Sequence, residues 1–119
     1  MTENELSITL DSAIEVHRTL GGPGLLESVY ELEQRGLGVE RQKVVPLVYK
    51  GKRLAAELRV DLLVEGLVIV ECKAARDDNP VFQAQVLTYL RLLDLKLGLV
   101  INFGRRLVKD GIHRVVNGL

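Results

Sequence analysis

Apolar residues recur along the chain at two periods, and the changes of period divide it into predicted helices and strands. Spacings of three and four residues indicate amphipathic helices. Glycines end the first two helices, and the third begins with an asparagine N-cap followed by proline, an arrangement that favours a helix start. The predicted helices cover about residues 4–20, 25–36 and 80–93.

Between the second and third predicted helices, apolar residues alternate with polar ones, a pattern typical of half-buried β-strands. Residues 97–103 are almost entirely apolar, which suits a strand covered on both faces. The pair Asp110-Gly111 is a common hairpin turn, so a C-terminal hairpin is predicted to join residues 106–109 to residues 112–116. The strands before the third helix are predicted at residues 39–48, 53–64 and 68–73.

The register between the second and third predicted strands decides which side chains share a face. A two-residue turn at Glu65-Gly66 would mix apolar and charged groups on both faces. A slip of one residue inverts the faces. The slipped register sorts them into one apolar and one charged face, so we predict it, with a three-residue turn or a bulge. Its pairs are Val64 with Val68, Leu62 with Val70, Val60 with Cys72, Leu63 with Ile69, Asp61 with Glu71, and Arg59 with Lys73.

The third predicted strand is apolar but ends in two charged residues, and charges at the end of a buried strand need an explanation. Alternate residues of a strand share a face, so Glu71 and Lys73 project side by side while Cys72 turns into the core. Asp61 would lie opposite Glu71, within about 5.5 Å at Cβ, and the two carboxylates would repel unless a cation lay between them. Two acids and a lysine at a strand end are typical of a metal-and-water site for phosphodiester cleavage.

A hard divalent cation suits this set of side chains. Mg²⁺ binds oxygen ligands and keeps several waters, so Asp61, Glu71 and the backbone carbonyl of Cys72 suffice as protein ligands, with Mn²⁺ as a substitute. The metal would lower the pKa of a bound water and polarise a phosphate. Lys73 would orient that water or stabilise charge on the phosphorane. The alternative is a structural charge cluster, neutralised by neighbours such as Arg59.

Composition limits the class of protein. With 119 residues, 47% of them hydrophobic, the chain is long enough for one domain over residues 1–119 and too short for two. No run of about 18 uncharged apolar residues exists, so no membrane partner is expected. The acidic start is the wrong sign for a secretory signal. Because Cys72 is the only cysteine, no internal disulfide can form, and a cytoplasmic location is predicted.

Charge is balanced overall but unevenly distributed. Residues 1–33 hold seven acids and one base, a net charge of −6, so the remainder carries +6. A nucleic acid would be attracted to that basic remainder, although ordinary solvated surface charges explain the pattern equally well. The sequence leaves a homodimer open. The bases that cluster near predicted turns are Lys50, Lys52, Arg53, Arg105, Arg106 and Lys109.

A signature near the second helix indicates a family. The segment Gly24-Leu25-Leu26-Glu27-Ser28-Val29-Tyr30 matches Gly-x-x-Glu-x-x-Tyr, and the chain resembles the GxxExxY proteins of the PD-(D/E)XK nuclease superfamily along almost its whole length. Asp61 and Glu71-x-Lys73 resemble the acid pair and lysine of that superfamily. Residues 85–89 resemble its Gln-x-x-x-Tyr element. The chain departs from the pattern at Val60, in place of a proline, and at Phe82, where relatives often have histidine.

The resemblance implies an α/β, restriction-endonuclease-like fold, with an αβββαβ core and a mixed sheet flanked by helices. It also implies a Mg²⁺-dependent nuclease that acts on nucleic acid, with DNA favoured, or a non-catalytic nucleic-acid-binding or assembly module that keeps the fold. Glu27 would lie near the metal, although an acid at a helix start is also stabilised by the helix dipole. Gln85 and Tyr89, one turn apart, would contact substrate; Tyr89 equally suits a core aromatic.

Overall fold

A computed structural model describes residue 11 and residues 25–118, without the side chains of residues 25, 26 and 55–57. The first predicted helix, residues 4–20, lies outside the described residues except for Asp11, which is helical. The observed order is the αβββαβ order that the resemblance implies, followed by one more strand. The elements are α1 (Leu25–Gln34), β1 (Val39–Tyr49), β2 (Lys52–Val64), β3 (Val68–Lys73), α2 (Pro80–Leu93), β4 (Leu97–Asn102), a 3₁₀ helix (Val108–Gly111) and β5 (Ile112–Val116).

The five strands within the described residues form one mixed sheet in the order β1-β2-β3-β4-β5. β3 and β4 run parallel, and the other neighbouring strands are antiparallel. A parallel pair needs a crossover connection, and α2 supplies it. Because β3 and β4 run parallel, they end at the same edge of the sheet, at Lys73 and Asn102. We call this the carboxyl edge.

Helices cover both faces of the sheet. α1 packs on one face and α2 on the other, and a separate apolar cluster fills each interface. Burying one aliphatic side chain fully contributes roughly 1.5–3 kcal/mol, so both clusters stabilise the sheet substantially. The α1-side cluster includes Leu32, Leu62, Val64, Val68, Val70, Leu99 and Ile101, and the α2-side cluster includes Val45, Val60, Leu63, Ile69, Val86, Leu90 and Val100.

The turn and helix signals of the sequence are largely confirmed. Asn79 caps α2 by accepting a hydrogen bond from the Val81 amide at 3.0 Å, and Pro80 follows it. All of β4 is buried, as its apolar sequence predicts.

None of the helices within residues 25–118 combines the length and the apolarity needed to cross a bilayer.

The predicted slipped register between β2 and β3 is confirmed. A three-residue turn joins the strands, with positive φ at Glu65 and Gly66 and a hydrogen bond from the Leu67 amide to the Val64 carbonyl. Apolar side chains are thereby sorted to the correct faces at this end of the hairpin. The observed pairs are Leu62 with Val70, Leu63 with Ile69, and Val64 with Val68.

The prediction that Val60 shares an apolar face with Cys72 is wrong. Val60 packs in the α2-side cluster, whereas Cys72 packs against the α1-side cluster. Backbone pairing with β3 stops at Leu62. Val60 and Leu62 pack on opposite sides of the sheet, so the alternation of β2 is broken beside Asp61. Across from Asp61 on β1, Gln42 has a φ of 53°.

The C-terminal hairpin is built differently from the prediction. Residues 108–111 form a 3₁₀ helix, and β5 pairs with β4 instead of with residues 106–109. Val108 is buried in the α1-side cluster. Gly111 lies so close to the Asn102 carbonyl that a Cβ would overlap it. Burial of Val108 and this close approach hold the segment near the end of β4, so Asp110-Gly111 does not form the turn between two strands.

Close packing of α2 on β4 yields a first prediction. A Cβ on Gly98 would overlap Cγ1 of Val86 and lie 3.6 Å from Cδ1 of Leu90, and both of these side chains are fully buried. We expect Gly98→Ala to lower the free energy of unfolding by about 1–3 kcal/mol, measured by urea denaturation. Gly38→Ala is the control, since its Cβ would meet Glu65 Oε2 at an ordinary 3.7 Å. Equal losses in both variants would contradict the packing argument.

Candidate metal centre

Two carboxylates meet at the seam between β2 and β3, where the backbone ladder stops. The Asp61 amide donates a hydrogen bond to Glu71 Oε1 at 2.9 Å. The Cys72 amide donates to Asp61 Oδ2, also at 2.9 Å. Each carboxylate thus accepts from the backbone of the opposite strand and takes the place of a ladder bond. The seam therefore holds both acids in fixed positions, as the predicted pairing of Asp61 with Glu71 requires.

Glu71 is almost completely buried, with 3% of its surface exposed. Burial raises its pKa to about 7, and the negative charge of Asp61 adds to the rise. The hydrogen bond from the Asp61 amide and the charge of Lys73 act in the opposite direction. Near neutral pH the carboxyl group therefore exchanges readily between its protonated and ionised forms.

The backbone carbonyl of Cys72 faces the same seam. The amide and carbonyl of one strand residue point toward the same neighbouring strand, and the Cys72 amide points to Asp61 on β2. On the other side, the Lys73 carbonyl accepts from the Phe103 amide at 2.8 Å. The Cys72 thiol is partly buried, and burial raises its pKa. A thiol of high pKa is a poor nucleophile, so the backbone of Cys72 is the part that matters here.

Lys73 joins the carboxylates to α2. Its Nζ lies 3.9 Å from Glu71 Oε2 and donates a hydrogen bond to Gln85 Oε1 at 3.2 Å. The same ammonium lies 5.2 Å from the centroid of the Phe82 ring, a cation–π distance. The structure therefore brings together Glu71, Lys73 and Gln85, three of the predicted site residues.

Tyr89 lies one helical turn beyond Gln85 and is buried in the α2-side cluster. Burial raises the pKa of its phenol, and the charges of Glu71 and Asp61 raise it further. The ring is therefore a core aromatic whose hydroxyl experiences the field of the carboxylates. The interpretation of Tyr89 as a core aromatic is confirmed, and its contact with substrate stays a prediction.

Glu27 stands apart from these side chains. It lies in the first turn of α1, half-buried, as the dipole argument allows. Within residues 25–118, no group of three or more His, Cys, Asp or Glu side chains is arranged to hold a metal ion. Tyr30, the last residue of the signature, is 62% exposed. The structure thus joins Asp61 to Glu71 without Glu27.

Comparison with known proteins agrees with this geometry. A family model of the PD-(D/E)XK nuclease superfamily matches residues 3–115. The chain belongs to the PD-(D/E)XK nuclease superfamily. No curated protein and no solved structure matches the chain. Members of the superfamily are generally nucleases, and they typically use divalent metals such as Mg²⁺. The mixed sheet flanked by helices is restriction-endonuclease-like.

The donor set of this PD-(D/E)XK protein suits a hard cation. Asp61 Oδ1 and Glu71 Oε2 are not the oxygens that accept the two backbone hydrogen bonds. Together with the Cys72 carbonyl they offer oxygen ligands alone, which Mg²⁺ and Mn²⁺ prefer. Two carboxylates and a carbonyl also leave room for waters and phosphate oxygens. The residues present therefore fit the metal that is typical of the superfamily.

Sequence analysis missed a polar network beside the site. Asn102, fully buried at the end of β4, accepts hydrogen bonds through Oδ1 from the Ala75 amide at 2.9 Å and the Gly104 amide at 3.0 Å. Its Nδ2 donates to Asp78 Oδ1 at 3.0 Å. One side chain thus ties the loop after β3 to the loop after β4. The signal in the sequence is a lone asparagine that ends an otherwise apolar strand.

Asp78 extends this network to two basic residues. Its Oδ2 accepts a hydrogen bond from Arg105 Nη1 at 2.8 Å and lies 3.2 Å from His113 Nε2. The hydrogen bond from Asn102 lowers the pKa of Asp78, and His113 and Arg105 lower it further, against the effect of burial. Because Asp78 precedes the cap of α2, the network fixes both the chain after Lys73 and the start of the helix that carries Gln85.

The buried carboxylate predicts a specific dependence of stability on pH. Because folding raises the pKa of Glu71 from 4.5 to about 7, its contribution to stability is fully present below about pH 4.5 and is lost as the pH rises through 7. Glu71→Gln should therefore gain stability relative to wild type between pH 4.5 and 8, by up to about 3 kcal/mol. Urea unfolding in EDTA at several pH values measures this difference.

Glu33→Gln is the matched control, since it removes an exposed carboxylate from α1. We expect its stability to follow that of the wild type across the same range. Parallel curves for Glu71→Gln and wild type would contradict a raised Glu71 pKa.

Proposed function

We propose that this member of the superfamily is a Mg²⁺-dependent nuclease of the GxxExxY group that hydrolyses phosphodiester bonds in DNA. The observation that supports it is the exchange of hydrogen bonds between Asp61 and the Glu71–Cys72 segment, with the Lys73 ammonium 3.9 Å from Glu71. Two carboxylates and an ammonium are thereby concentrated at the carboxyl edge. We further propose that residues 1–119 form one domain and act in the reducing cytoplasm.

The proposed roles follow from position. Asp61, Glu71 and the Cys72 carbonyl would hold Mg²⁺, or Mn²⁺ in its place. The bound ion would supply a water of lowered pKa and polarise the phosphate. Glu27 is proposed as an additional ligand on the strength of the family signature.

Lys73 would act on the reacting phosphate. Its ammonium is held by Gln85 and the face of Phe82, so it enters the reaction with little reorganisation. A preorganised positive charge of this kind stabilises charge that develops on phosphate oxygens. Gln85 and Tyr89 would contact substrate, because they lie on the face of α2 next to the carboxylates. The side chains of β2, β3 and α2 would thus act together.

Cleavage assays test this assignment of roles. Wild-type protein should cut a member of a broad DNA panel in Mg²⁺ or Mn²⁺, and Asp61→Ala and Glu71→Ala should lose both metal binding and cleavage. Lys73→Ala should keep the metal and lose about 10²–10³ in rate. Lys96→Ala, which removes an exposed lysine before β4, should cut normally.

Equal cutting by wild type and Glu71→Ala, prepared identically, would indicate a contaminating nuclease. A panel that also includes RNA and remains uncut would favour the non-catalytic binding module. Near wild-type turnover by Lys73→Ala would exclude its proposed role.

Metal binding should also appear as stability, without any substrate. A cation between Asp61 and Glu71 relieves their repulsion, so Mn²⁺ at a hundredfold excess over its dissociation constant should stabilise the fold by about 2.7 kcal/mol. Glu71→Gln should abolish most of this gain. Thermal unfolding with and without millimolar Mn²⁺ measures it, and a wild-type melting temperature that Mn²⁺ leaves unchanged would count against a metal site.

A further inference from the structure

The β1–β2 hairpin extends past the carboxyl edge of the sheet. β3 runs antiparallel to β2, the last paired residues are Leu62 and Val70, and β3 ends three residues later at Lys73. β2 begins at Lys52, ten residues before Leu62, and so extends seven residues farther than β3. At about 3.3 Å per residue, the hairpin therefore projects roughly 23 Å beyond the point where β3 ends. We call its outer part, residues 48–54, the arm.

The arm exposes apolar side chains that do not contribute to the core. Val45, nearer the body of the protein, is buried in the α2-side cluster. Val48 and Tyr49 are 47% and 62% exposed, and Leu54 is exposed as well. A two-stranded hairpin alone buries little surface, so apolar side chains there add little to folding. Exposed apolar groups within a polar surface are typical of contact sites.

The charge of the arm has one sign. Residues 48–54 contain three basic residues and no acidic one. Lys50 Nζ lies 5.5 Å from the centroid of the Tyr49 ring, so a positive charge and an aromatic face are presented together. Basic residues bind phosphates, and tyrosine side chains contact the phosphates and sugars of a DNA duplex. This combination suits a nucleic acid. The three bases are Lys50, Lys52 and Arg53.

The opposite flank of the site carries charges of both signs. The segments that follow β3 and β4 leave the carboxyl edge on the side away from β1, and their exposed charged residues are Arg76, Arg106 and Lys109 against Asp77 and Asp110. The carboxylate pair at the seam between β2 and β3 therefore lies between the arm and these segments. A nucleic acid that reaches the carboxylates would meet the positive charge of the arm on one side and a net charge of only +1 among these exposed residues on the other.

We propose that the arm is a DNA-binding surface that grips the duplex away from the bond to be cut. The position of that bond rests on the proposed function, whereas binding by the arm does not. At about 3.4 Å per base pair, a projection of about 23 Å corresponds to about seven base pairs. The arm therefore adds affinity for duplexes long enough to span this distance.

A matched pair of double variants tests the arm. Lys50→Gln with Lys52→Gln removes two charges from the arm, and Arg91→Gln with Lys96→Gln removes two exposed charges near the opposite edge of the sheet, where β4 begins. Binding to a 30-base-pair duplex is measured by fluorescence anisotropy in Ca²⁺ at several salt concentrations. The arm variant should bind about tenfold more weakly at 100 mM salt, and its salt slope should fall by about two.

A hydroxyl-radical footprint locates the lost contacts. The arm variant should lose protection about seven base pairs to one side of the remaining footprint, and the control variant should keep the wild-type pattern. The proposal would be overturned if the arm variant and the control variant bound the duplex with equal affinity. It would also be overturned if the wild-type protein did not bind DNA. A larger loss on RNA than on duplex DNA would overturn the choice of DNA.

These outcomes separate the arm from the nuclease. If the wild type binds DNA through the arm but cuts nothing, the proposed nuclease function would be overturned and the proposal for the arm would stand. If the wild type cuts DNA but its binding does not depend on the arm charges, only the proposal for the arm would be overturned.

Discussion

The structure depends on one exchange of hydrogen bonds, in which the Asp61 and Glu71 carboxylates replace the backbone ladder between β2 and β3. The exchange concentrates negative charge in a nearly buried place, which is costly unless each oxygen finds a donor. Two backbone amides supply donors, and the paired apolar residues of both strands hold those amides in register. Apolar packing on the two sides of the sheet therefore holds the Asp61 and Glu71 carboxylates together against their electrostatic repulsion.

α2 and the buried Asn102 complete that support from the other side of β3. The helix brings Gln85 and Phe82 to the Lys73 ammonium. Asn102 ties the loops after β3 and β4 together and binds Asp78 just before the helix begins. Because one network anchors both the strand end and the helix start, a shift of either element would displace Lys73 from the carboxylates. The position of Lys73 is thus a property of the whole carboxyl edge.

The sequence predicted those features that follow from local pattern. Apolar sorting identified the register of β2 and β3, and cap chemistry identified α2 from Asn79. Failures arose where a tertiary contact overrode the pattern. Val60 changes sides because the alternation breaks beside Asp61, and Asp110-Gly111 forms no strand turn because Val108 is buried. The role of Asn102 depends on two loops that are distant in sequence, so no local period could reveal it.

The raised pKa of Glu71 bears on how the site is neutralised. Lys73 offsets only part of the charge, because its Nζ lies 3.9 Å from Glu71 while it donates to Gln85 at 3.2 Å. One proton leaves the two carboxylates with a net charge of −1, and with a Glu71 pKa of about 7 that proton is increasingly lost above neutral pH. A divalent cation would neutralise both carboxylates across the whole range. The two positive charges of the proposed cation would therefore balance the two carboxylates, which a single proton would not.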